Sequence, residues 1–109
     1  MVYAIDFDGT LCQDRFPEIG RPYLNRIAAV KELQKEGHKI ILWTCRQNAE
    51  HGNHLDNAVE RCKQYGLVFD AVNENLPEVQ LKWGGDTRKV YCDCYIDDKN
   101  YNARVLDCL

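Results

Sequence analysis

Apolar residues fall into short runs of two kinds, separated by polar stretches. Residues 2–7, with Val2, Ala4, Ile5 and Phe7, form a β-prone run and predict a strand. Over 21–36, Leu24, Ile27, Ala28, Val30 and Leu33 recur near the 3.6-residue period of a helix. Pro22 suits its first turn and Gly37 its stop. Residues 38–44 carry the continuous core Ile40-Ile41-Leu42-Trp43, which predicts a strand covered on both faces. A second helix is expected over 55–65, with Leu55, Ala58, Val59 and Cys62 inward and Gly66 closing it. A third strand is expected over 67–72 and a fourth over 92–96.

The stretches between them are polar. Residues 11–20 contain Asp14, Arg15, Pro17 and Gly20 and read as a loop or small flap. Residues 47–53 read as a loop, and 73–87 as irregular, with a turn or two of helix around 78–82. A fifth short strand is expected around 103–106. Alternating strands and helices of this length imply an α/β fold with a parallel sheet of about five strands and right-handed crossovers. The 109 residues are enough for one such domain, spanning 1–109.

Composition narrows the function classes. The net charge is −3, with no basic run, so the electrostatic footprint of a nucleic-acid binder is absent. No apolar stretch reaches the ~18 residues of a membrane span. Without a basic, apolar leader at the start, a cytoplasmic protein is expected. The six cysteines show neither a CxxC nor a paired zinc spacing. Cys92 and Cys94 share one strand face, so the thiols read as reduced and structural.

The chemistry gathers where predicted strands end. The first ends in Asp6-Phe7-Asp8-Gly9-Thr10, the second in Thr44-Cys45-Arg46, the fourth in Asp97-Asp98. In a parallel sheet these carboxyl ends share one edge, where such folds bind ligands. Gly9 lets the chain bend directly after the acids. Four hard carboxylates suit Mg²⁺. A hydroxyl, a lysine and nearby backbone N–H groups suit a phosphate, and both together point to metal-assisted phosphoryl transfer.

These residues resemble the four motifs of the haloacid dehalogenase (HAD) superfamily, in the family's order. Asp6-Phe7-Asp8-Gly9-Thr10 is similar to the DxDGT motif of its phosphatases, Thr44 to the second motif, Lys89 to the third and Asp97-Asp98 to the fourth. The resemblance implies a three-layer Rossmann-like fold and a Mg²⁺-dependent phosphatase. Asp6 would be the nucleophile and Asp8 the general acid/base. Thr44 and Lys89, with Gly9 and Arg46 beside them, would hold the substrate's phosphate. Asp6, Asp8 through its carbonyl, Asp97 and Asp98 would surround the metal. Lys82 is the alternative to Lys89. Arg46 reads equally as a substrate contact or as a surface ion pair.

The gaps between motifs are too short for a cap domain, which resembles the capless members of the superfamily. An open cleft suits a phosphate on a larger molecule, nucleic acid included, or a lid from a second copy in a homo-oligomer. Two rival readings share these residues: a phospho-accepting receiver and a HAD-like binding module without catalysis. A receiver places adjacent acids first and a lone acceptor Asp later, an order this chain does not have. His51 and His54 read as a surface pair. Trp83 and 73–77 read as packing and a turn more than as a substrate rim.

Overall fold

A computed structural model describes residues 1–100. Its centre is a parallel sheet of strands β1 (Val2–Ile5), β2 (Lys39–Leu42), β5 (Ala71–Val72) and β6 (Cys94–Ile96), in the order β5-β2-β1-β6. Helices α1 (Leu24–Lys35), α2 (His54–Gln64) and α3 (Pro77–Trp83) lie in the connections. A small antiparallel pair, β3 (Asn48–Ala49) and β4 (Gly52–Asn53), precedes α2. β1 pairs with β2 from Val2↔Lys39 to Ile5↔Leu42, and with β6 from Tyr3↔Cys94 to Ile5↔Ile96. The α/β class and parallel sheet therefore match the alternation of the sequence. The candidate fifth strand lies outside the described residues.

The sheet has two covered faces because neighbouring side chains on a strand point to opposite sides. On one face Ile5, Ile40 and Leu42 pack with Ile27, Val30 and Leu33 of α1 and with Ala58 and Cys62 of α2. On the other, Ala4, Ile41 and Ala71 pack with Leu76 and Val90. Ile40, Ile41 and Leu42 are fully buried, which accounts for their uninterrupted apolar run. Cys12 and Cys62 are buried thiols, pushed up to about 11 and about 12 by burial. Among the described residues, no helix is long and apolar enough to cross a membrane.

Several boundaries differ from the sequence pattern, and each has a local cause. The first helix starts at Leu24, after the predicted 21, because Pro22 pairs antiparallel with Cys12. The Gln13 N–H donates to the Arg21 carbonyl (2.9 Å) and the Tyr23 N–H to the Leu11 carbonyl (2.8 Å). These bonds tie the base of the 11–20 segment, so it stands as a flap on a fixed stem. The β3–β4 pair replaces an expected loop; strands of two residues are too short for alternation to register.

The 73–91 segment looks irregular, yet it is stapled by Asn75, which is 1% exposed. The Asn75 side-chain amide donates to the Asp86 carboxylate (2.8 Å) and to Thr87 Oγ1 (3.1 Å). Its oxygen accepts from the Tyr91 N–H (2.6 Å). Asn75→Ala removes these bonds, but Asp86 and Tyr91 are exposed and water can replace the lost amide, so the cost is ~1–2 kcal/mol. Urea unfolding will show a loss of that order; a loss within ~0.5 kcal/mol would contradict the staple.

Candidate active site

Parallel pairing carries past the assigned strand ends and brings three loops together. The Asp6 N–H donates to the Ile96 carbonyl, the Trp43 N–H to the Ile5 carbonyl, and the Asn73 N–H to the Leu42 carbonyl. Asp6, Thr44 and Asp97 therefore start from one edge. A cleft of about 390 Å³ opens there, and Asp6, Asp8, Thr44, Arg46, Asp97 and Asp98 are among its lining residues.

Three carboxylates converge. Asp6, Asp97 and Asp98 each offer an oxygen, all within 4.8 Å of one another. Gly9, at φ +84°, makes this possible. A Cβ at that position would stand 2.3 Å from Asp98 Oδ2, so a side chain would both strain the turn and expel the third acid. Thr10, 2% exposed, donates its hydroxyl to Asp6 Oδ2 (3.1 Å). Burial first, then the Asp97 charge, pushes the Asp6 carboxyl up to about 7. Burial, and then bonding to and charge from Asp98, raises Asp97 as well. Such a cluster of hard oxygens can hold a metal ion, whose charge would offset the repulsion.

Asp8 has a different environment. Its carboxylate is gripped by Arg46, with Nε to Oδ2 at 2.7 Å and Nη2 to Oδ1 at 2.8 Å. Arg46 is 2% exposed. Its remaining N–H groups donate to the carbonyls of Pro17 (3.3 Å), Glu18 (2.9 Å) and His54 (3.3 Å). The guanidinium also lies 5.2 Å from the Phe7 ring and 5.1 Å from the Phe16 ring. It is a buried ion pair, not the surface pair weighed from sequence, and the protein itself takes all five of its donors. One residue thus ties the end of β1, the flap and the start of α2.

Thr44 sits at the end of β2. Its N–H donates to Asn73 Oδ1 (2.8 Å), and its hydroxyl oxygen accepts from the Arg46 N–H (3.1 Å), leaving the hydroxyl hydrogen for the cleft. Asn73, at φ +54°, also donates to the Arg46 carbonyl (3.2 Å) and so fixes the turn.

The lysines fall elsewhere than expected. Lys89 lies over the Tyr95 ring at 5.5 Å, and Lys82 over Trp83 at 5.2 Å; neither lines the cleft. Tyr95 packs on the Ala4–Ile41 face, because it alternates with Cys94 and Ile96. Lys99 lines the cleft instead, with Nζ 3.5 Å from Asp98 Oδ2. Sequence order alone could have suggested it, being adjacent to the acid pair. Thr10 was visible in the same motif, and Asn73 was not. His54 is buried and hydrogen-bonded to His51 at 2.8 Å, so that pair is not the surface pair expected.

Comparison with solved structures finds a conserved protein coded by a locus of Bacteroides thetaiotaomicron, at TM-score 0.80 and 40% identity. The match covers 94% of this chain and 78% of that one. The chain belongs to the same family as that protein. No protein-family model and no curated protein matches.

Two outcomes follow from the charges at the site. Asp6 sits near 3.8 when unfolded and near 7 when folded, so the folded state holds its proton more tightly. That contribution is complete below about pH 4 and is lost as pH rises through about 7. Without divalent cation, the melting temperature will fall between pH 5 and 8 by about 5 °C, after discounting for partial exposure. Asp6→Asn will flatten the profile; a wild-type profile already flat would contradict the clustering. Arg46→Met strands the Asp8 carboxylate and will cost ~3–5 kcal/mol in urea unfolding, where a loss below 1 kcal/mol would contradict the tie.

Proposed function

We propose that this protein is a capless HAD-like phosphatase, a Mg²⁺-dependent phosphomonoester hydrolase working through an aspartyl-phosphate. The observation that carries this reading is the meeting of Asp6, Asp97 and Asp98 at the sheet edge, with the Thr44 hydroxyl beside them. Mg²⁺ fits three hard oxygens, and Asp6, Asp97 and Asp98 would hold it. When bound it supplies charge neutralisation for the phosphoryl oxygens.

An Asp6 carboxylate oxygen attacks phosphorus, and the ester P–O bond breaks with its electron pair going to the leaving oxygen. Water then attacks the same phosphorus, the bond to Asp6 breaks, and inorganic phosphate leaves. Thr44 would donate its hydroxyl to a phosphoryl oxygen, and Lys99, which lines the cleft, would approach the same group. Thr10 orients Asp6 from below.

Asp8 is the acid/base, and its grip on Arg46 shapes that role. Each Asp8 oxygen accepts one Arg46 N–H and keeps a second lone pair, the position at which it would give a proton to the leaving oxygen and take one back from the attacking water. Catalysis then rests mainly on positioning and on charge neutralisation.

The test is turnover of a phosphoester panel with and without Mg²⁺, including sugar phosphates, nucleotides and phosphorylated oligonucleotides. The expected result is repeated, Mg²⁺-dependent release of phosphate, lowered by at least about a thousandfold in Asp6→Asn with the fold intact. A receiver would take up one phosphate and stop. Retained turnover in Asp6→Asn would contradict the nucleophile.

A further inference from the structure

Phe16 is an aromatic ring that the core does not use. It belongs to neither apolar cluster and is 52% exposed, yet its position is fixed. The buried Arg46 guanidinium lies 5.1 Å from its centroid, and the His54 ring meets it edge-on at 5.1 Å with an interplanar angle of 64°. It rides on the flap, whose ends are tied at Gln13–Arg21 and Leu11–Tyr23. The ring lines the cleft together with Thr44, Asp6 and Asp14. A held, half-exposed ring at the mouth of a ligand cleft is a ready surface for another ring, since stacking needs no ordering of the protein side.

The charges at the cleft set a second condition. Asp14 joins the three converging acids in the lining, and its carboxylate accepts from the Phe16 N–H at 3.3 Å. Arg46 is taken up by Asp8, which leaves Lys99 as the cleft cation not bound into a buried pair, among the described residues. A divalent ion offsets a phosphate dianion but not a further anion on the leaving group, which would face Asp14.

We propose that Phe16 is a specificity-determining residue, giving the cleft a flat apolar wall that selects phosphate monoesters of uncharged aryl leaving groups. The proposal rests on the phosphatase reading for the word monoester and on the geometry of Phe16 for the word aryl. It concerns recognition alone and adds no chemical step.

Binding of non-hydrolysable phosphonates separates the two claims. With Mg²⁺ present, calorimetry on the full chain compares phenylphosphonate, methylphosphonate and 4-carboxyphenylphosphonate. Phenylphosphonate is expected to bind about tenfold tighter than methylphosphonate, the scale of one aromatic contact. The carboxylated ligand should lose that gain, and Asp14→Asn should restore most of it. Phe16→Ala should bring phenylphosphonate down to the methylphosphonate level while methylphosphonate affinity serves as the internal reference. Phe16→Tyr should keep the preference. A merely structural Phe16 would lower both affinities alike, and that result overturns the proposal. So does equal affinity for the two ligands in the wild type, or no binding of either. Preferential binding of phenylphosphonate without hydrolysis of phenyl phosphate would overturn the phosphatase reading and leave the aryl recognition standing.

Discussion

The Arg46 guanidinium is the tie on which the site depends. It reaches Asp8 with two charged hydrogen bonds, and the carbonyls of Pro17, Glu18 and His54 with the rest. Those partners come from the β1 end, the flap and the start of α2, and the carbonyls of Pro17 and His54 are joined through one guanidinium nitrogen. Buried charge is costly unless every donor and acceptor is met, and here all five donors are. The same group carries the Phe16 ring on its face. The shape of the cleft mouth and the placement of Asp8 thus rest on one side chain.

The acidic triad poses the opposite problem, three like charges with no cation buried among them in the described residues. Geometry forces them together: strand pairing fixes Asp6 and Asp97, and the bare backbone of Gly9 admits Asp98. The result is a site poised toward positive charge, with Asp6 raised to about 7 by burial and by Asp97. Arg46 cannot relieve it, being spent on Asp8. Two aspartates two residues apart thus have unlike neighbours: Asp6 faces carboxylates and Asp8 faces a guanidinium.

Much of this was legible in the chain because it lives in strands. The uninterrupted Ile40-Ile41-Leu42 run and the DxDGT stretch identified β2, β1 and the edge where the acids meet. What the pattern could not carry was the side-chain wiring of loops. Arg46 read as a substrate contact or a surface pair, because nothing local shows that Asp8, 38 positions earlier, meets it. Asn73 and Asn75 read as turn residues, while their amides staple segments far apart in sequence. Lys89 read as the phosphate lysine from its order along the chain. One-residue alternation along β6 sends Tyr95 to the Ala4–Ile41 face, and Lys89 Nζ lies 5.5 Å from its ring. Strand periodicity is a local property, whereas a hydrogen bond between loops is not.

The central claim is that phosphate passes through Asp6. Acid-quenching the protein during turnover of a reactive phosphoester, followed by peptide mass analysis, tests it directly. The account predicts a phosphate adduct on the peptide carrying Asp6, released by hydroxylamine as an acyl phosphate is, and missing in Asp6→Asn. Turnover with no such adduct, or with the adduct on another residue, would contradict it.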